Sequence, residues 1–320
     1  MTSTTIPSSH LTTFHHIPPI SAFQLPRTSS DPTVLSSRPP NVILWVGGLS
    51  DTFGNVSYPF TLAQCLPPSW TLVHLVLSSS GNSWGTTDLD ADVREIAKAV
   101  AYFRSLQEAG SKIVLMGHST GCQDAMHYVS SPLQTGAELD RPRVAGIILQ
   151  APISDREALL HALDKSTYDH ANDIAQKMVR DGKESDCMPN EITGAVFGQC
   201  AITAKRWLSL ASPDQKGDDD YFSSDLPDER LQATFGSISR DTHLLLLYGA
   251  ADEHVPEYVK PVEMLERWTT FASKAGAKVH PESRALLRGA SHNLNGDPQP
   301  VLDELYRRVT AFLADLAKHV

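Results

Sequence analysis

Five short apolar runs, at residues 42–46 (VILWV), 72–77 (LVHLVL), 113–116 (IVLM), 144–149 (VAGIIL) and 244–248 (LLLLY), have strand length and no polar alternation. Strands of a parallel sheet look like this, because helices cover both faces and leave no side for water. Residues 90–110 place Val93, Ile96, Ala97, Val100, Phe103 and Leu106 at helical spacing, begin with acids and end on a glycine. That spacing predicts a crossover helix. A last helix from about residue 300 aligns Leu302, Leu305, Val309, Phe312 and Leu316 on one face. Alternating strands and helices predict an α/β fold with a mostly parallel central sheet flanked by helices.

The rhythm stops after the fourth run. Residues 152–241 carry helical patterns (Leu159, Leu160, Leu163; Ile174, Met178; Trp207, Leu208, Leu210) without strong strands between them. They are expected to form a helical cap inserted into one α/β core built from 41–151 and 242–320. The Asp218-Asp219-Asp220 run inside the insertion is expected to be a solvated turn rather than a metal site. Residues 1–40 are rich in Ser, Thr and Pro and are expected to be partly mobile. Phe14, Ile17, Ile20, Phe23 and Leu25 are nevertheless placed to supply an edge strand or tether.

The chain has 320 residues, 41% apolar and 20% charged, so it can form a core. Its formal net charge of −10 gives no global basic field to hold nucleic acid or anionic lipid. No apolar run approaches the ~18 residues of a membrane span. The four cysteines show no C-x-x-C pairing and are expected to be reduced thiols. No His and carboxylate cluster has metal-ligand spacing, so no metal or other cofactor is expected. A cytoplasmic protein is the resulting expectation.

The chemistry is concentrated after three of the strands. Gly117-His118-Ser119-Thr120-Gly121 follows the third run and precedes a helical pattern (Cys122, Ala125, Met126, Val129). Strand, sharp turn and helix is the context in which G-x-S-x-G exposes a nucleophilic serine. Such an alcohol needs a base to take its proton and an acid to orient the base. Asp252, just after the fifth run, is the candidate acid, with Glu253 its neighbouring competitor. His292, in a loop before the last helix, is the candidate base. For an oxyanion, the backbone N–H groups of Thr120 and Leu49 are the expected donors, with Gly48 as the alternative to Leu49.

On these motifs the chain resembles the α/β-hydrolase superfamily from residue 41 to the C-terminus. GGLSD (47–51), GHSTGCQD (117–124), DDDYFSSDL (218–226) with the later TFG (234–236), GAADEHVP (249–256) and GASHN (289–293) resemble the fungal family that includes esterases of fusarinine-type siderophores. The resemblance implies hydrolysis of ester bonds in fusarinine C or its triacetyl form after uptake, with iron arriving only as part of the substrate. The catalytic roles it implies fall on Ser119, Asp252 and His292. Two alternatives stand beside it: a general carboxylesterase or thioesterase using the same triad on another small ester, and a receptor that keeps the fold without turnover. The expected partner is a small-molecule ester.

Overall fold

A computed structural model describes residues 13–27, 41–130 and 141–318. The expectation of a mobile leader falls, for 1–12 and 28–40, outside the described residues. Residues 13–27 contribute β1 (Thr13–Ile17) and β2 (Ile20–Gln24), an antiparallel hairpin at the sheet edge. Phe14 and Phe23 pack there with ring centroids 5.3 Å apart, and Ile20 and Leu25 are buried.

The sheet continues with β3 (Asn41–Val46), β4 (Trp70–Val76), β5 (Ile113–His118), β6 (Gly146–Gln150), β7 (His243–Leu247) and β8 (Lys278–Val279). Strand order is β1-β2-β4-β3-β5-β6-β7-β8, and every pairing from β4 to β8 is parallel. Helices α1 (Tyr58–Cys65), α2 (Leu89–Ser105) and α3 (Gly121–Ser130) connect the first parallel strands. The Asp88 carboxylate caps α2 by accepting the Ala91 N–H at 3.0 Å.

The unalternating strand pattern has a direct cause in the two-sided core. Along β3, Val42, Leu44 and Val46 pack on one face with Val93, Ile96, Val100 and Phe103 of α2. Ile43 and Trp45 pack on the other face with Phe312 and Leu313 of the C-terminal helix. Both faces are dry, so both parities are apolar.

Between β6 and β7 the chain forms α4 (Asp155–Ala162), α5 (Lys165–Arg180), α6 (Asn190–Phe197), α7 (Ala204–Ala211) and α8 (Asp228–Ala233). Tyr168, Ala171, Trp207 and Leu210 form a separate apolar cluster there, joined by Trp84 from the sheet side. The buried Trp207 indole N–H donates to Asn172 at 2.8 Å. The chain ends with α9 (Pro261–Ala275) and α10 (Gln299–Lys318).

One expectation is corrected in this region. Asp219 and Asp220 are buried, and only Asp218 of the triplet is exposed. Asp219 pairs with Arg206 at 2.6 Å, and Asp220 with Arg156 at 3.1 Å. The run is therefore an internal ionic staple, because two arginines distant in sequence compensate carboxylates that would otherwise be too costly to bury.

Candidate active site

The turn from β5 into α3 holds Ser119 at φ +54°, the left-handed region that residues with a Cβ rarely occupy. Strain of this kind is expected where a strand reverses into a helix to expose one side chain. Its flanking residues permit the reversal by lacking side chains. A Cβ on Gly117 would lie 2.1 Å from the Gly121 carbonyl oxygen, and one on Gly121 would lie 2.4 Å from that of Val46. The Ser119 N–H donates to the Gln150 carbonyl at 3.0 Å, tying the turn to the end of β6.

The acid and base arrive from the other half of the sheet. After β7, Ala250 and Ala251 donate their N–H groups to the Leu287 and Ala290 carbonyls at 2.9 and 3.0 Å, which docks the acid loop on the base loop. Asp252 Oδ2 then lies 2.8 Å from His292 Nδ1, and His292 Nε2 lies 2.8 Å from Ser119 Oγ. A carboxylate can only accept, so it selects the tautomer with hydrogen on Nδ1 and leaves the Nε2 lone pair for the serine proton. Asp252 and His292 are both buried. The structure thus brings together the three residues that the sequence places far apart.

Glu253 has a different place. Its Oε2 accepts the backbone N–H of His292 at 2.9 Å, so it anchors the loop that carries the imidazole. Gln150 supports the same loop by donating its side-chain N–H to the His292 carbonyl at 3.1 Å. His254 packs edge-on against the His292 ring at 4.7 Å. His118 lies 5.2 Å from it on another side. Burial, and then the neighbouring His292, push the His118 pKa down to about 3, so this second imidazole is neutral. Sequence reasoning passed over Gln150 and gave Glu253 no such role; only a polar residue ending an apolar strand marks the former.

Gly48 runs against the serine, where a Cβ would lie 2.6 Å from that of Ser119. Its N–H is donated to Asp51 Oδ2 at 2.8 Å, so the alternative that uses Gly48 as an oxyanion donor is set aside. Among the described residues, the N–H groups of Leu49 and Thr120 have no protein acceptor, which leaves both available to an incoming oxyanion. A cavity of about 540 Å³ opens over Ser119. Ala158 and Leu159 of α4 and Val196 and Phe197 of α6 line it, together with His254 and His292. The arrangement can move a proton from Ser119 to His292 and shelter an acyl group beneath the inserted helices.

Behind the serine turn, Arg206 of α7 is surrounded by Asp92 of α2, Asp124 of α3, Asp155 of α4 and Asp219. Burial pushes the Asp92 and Asp155 carboxyls up to about 7, and the Asp124 carboxyl well above the usual carboxylate range. Like-charge neighbours add to the effect. Folding therefore shifts the loss of these protons to higher pH, whereas the unfolded chain releases them near pH ~4. The folded state binds more protons over this range, and stability is lost as pH rises from ~4 through the raised folded values, about 7 for Asp92 and Asp155 and higher than the ordinary carboxylate range for Asp124. Chemical denaturation is expected to show lower stability at pH 8 than at pH 5, with a shallower fall in Asp124→Asn. An equal fall in both proteins contradicts the assignment. Among the described residues, no helix is long and apolar enough to cross a membrane.

Comparison with known proteins places the chain in a family. Residues 4–314 match the family described as "Protein of unknown function (DUF1749)". Esterase AN6793 of Emericella nidulans is 36% identical, over 87% of this chain and 87% of its own. Fusarinine C esterase sidJ of Aspergillus fumigatus is 34% identical, over 89% of this chain and 92% of its own. The solved structure of siderophore hydrolase EstB from Aspergillus fumigatus superposes with a TM-score of 0.83 at 33% identity, covering 98% of this chain and 99% of that one. The chain belongs to the DUF1749 family and, among the α/β hydrolases, to the family of the fungal fusarinine-type siderophore esterases.

Proposed function

We propose that this chain, a carboxylic ester hydrolase, cleaves the ester bonds of a fusarinine-type hydroxamate siderophore through Ser119, His292 and Asp252. The single observation that carries the reading is the continuous line from Asp252 Oδ2 through the imidazole to Ser119 Oγ, with 2.8 Å at each contact. Similarity to sidJ and EstB supports the substrate class. In this reading His292 takes the Ser119 proton as Oγ attacks the ester carbonyl. The Leu49 and Thr120 N–H groups stabilise the oxyanion, and His292 returns the proton to the leaving alcohol. A water activated by the same imidazole then releases the acid and regenerates the serine. Residues 152–241 act as the cap over the acyl pocket. Iron enters and leaves with the substrate, and hydrolysis in the cytoplasm would help to release it.

The apolar lining by Leu159, Val196 and Phe197 also suits a plain carboxylester, so the substrate test needs both kinds of ester. Purified protein is incubated with ferric and iron-free fusarinine C, with the triacetyl form and with a simple p-nitrophenyl ester, and products are followed by mass spectrometry. The expected result is ester cleavage of a fusarinine-type compound, with mass gains of one water per bond. Intact siderophore beside a hydrolysed simple ester would overturn the substrate and leave the chemistry standing.

A further inference from the structure

The loop that faces the serine from the end of β3 is held by a side chain outside the triad. Asp51 Oδ2 accepts the Gly48 N–H at 2.8 Å, and the Asp51 N–H donates back to the Gly48 carbonyl at 3.2 Å. Between them, Ser50 sits at φ +63°, a conformation that costs a residue with a Cβ energy and needs external support. That support comes from the Trp84 indole N–H, donated to Ser50 Oγ at 3.0 Å, and from the Gly81 N–H, donated to the Asp51 carbonyl at 2.9 Å. With the Gly48 N–H consumed inside the turn, the N–H groups of Leu49 and Ser50 are, among the described residues, left without a protein acceptor, and that of Leu49, next to the glycine packed against Ser119, is the nearer in sequence to the serine contact.

The same carboxylate oxygen abuts His118, with Oδ2 3.7 Å from Nε2. Gln150 uses its side-chain N–H on the His292 carbonyl, so its Oε1 must accept from His118 Nδ1. The His118 proton is thereby fixed on Nδ1, and Nε2 turns a lone pair toward Asp51. Burial raises the Asp51 carboxyl above its ordinary value, while the Gly48 N–H it accepts pulls the other way. A chain of contacts thus runs from the His292 loop through Gln150 and His118 to the turn that carries Leu49.

We infer that Asp51 is a positioning residue for the oxyanion loop: it clamps Gly48 so that the Leu49 N–H stays directed at the reacting carbonyl. The inference rests on the serine esterase reading. What matters at this position is a short side chain with an acceptor for the Gly48 N–H, not its charge.

Two variants separate acceptor from charge. Asp51→Asn keeps an acceptor at the same reach, while Asp51→Glu keeps the carboxylate but is too long for the turn. Kinetics on a simple p-nitrophenyl ester are expected to leave Asp51→Asn within about fivefold of wild-type kcat. Asp51→Glu is expected to lose about 10²–10³-fold in kcat, the effect of removing one oxyanion donor, with KM within about threefold. Inhibition by a trifluoromethyl ketone, whose serine adduct carries the oxyanion, is expected to weaken in Asp51→Glu by the factor lost in kcat/KM. If the longer side chain prevents folding, Asp51→Ala is expected to show the same loss. Asp51→Glu or Asp51→Ala as active as Asp51→Asn, or a loss confined to KM, would overturn the inference. Failure of the esterase reading is distinguishable, because wild-type protein would then turn over neither the simple ester nor a siderophore.

Discussion

Ser119→Ala is expected to lower kcat on every accepted ester by about 10⁶-fold, with KM changed by only a few-fold. The alanine removes the one oxygen that His292 can activate, and it leaves the cavity walls and backbone donors in place. Among the described residues, the Ser119 hydroxyl makes no hydrogen bond to the fold other than with the imidazole, at 2.8 Å. Its loss therefore has little bearing on stability, and the variant is expected to unfold within a few degrees of wild type. Steady-state hydrolysis of a chromogenic ester, beside a thermal melt, measures both quantities. Retention of more than about one hundredth of the wild-type rate would mean that another group attacks the carbonyl.

Asp252→Asn is the second large effect, with an expected loss of about 10⁴-fold in kcat. The substitution keeps size and shape but allows an amide N–H to face His292 Nδ1. The imidazole then places its hydrogen on Nε2, where it can no longer take the Ser119 proton. Burial makes the change costly, because Asp252 Oδ2 is shielded from water that would otherwise restore the tautomer. Glu253→Gln is the internal comparison. Its amide oxygen can still accept the His292 N–H now given to the carboxylate at 2.9 Å, so a loss below about tenfold is expected. Equal losses at 252 and 253 would contradict the separate roles assigned to the two acids.

The parts legible in the sequence were those with local causes. Continuous apolar runs marked β3 to β7, since both faces of each strand are covered by helices. The Gly117 to Gly121 motif placed the serine turn because its steric demands are met by residues adjacent in the chain. Asp252 and His292 followed from their positions after later strands. Contacts closed over long separations left weaker marks. The Asp219 and Asp220 carboxylates look like a solvated turn until Arg206 and Arg156 are folded against them. Gln150 has no periodic signal, and its importance arises from meeting His118 and the His292 loop in space. Asp51 sits in the GGLSD stretch without a periodic signal, yet its reach to Gly48 takes that N–H out of play for an oxyanion. Short elements such as β8, two residues long, carry too little pattern to be seen.

The most direct measurement is covalent labelling of the folded wild-type protein with a fluorophosphonate, followed by peptide mass spectrometry. The reagent requires a serine made nucleophilic by a neighbouring base. The expected adduct falls on the peptide containing Ser119 and is absent from Ser119→Ala. No adduct on folded wild-type protein, or an adduct on a different residue that survives in Ser119→Ala, would contradict the claim that Asp252 and His292 activate this hydroxyl.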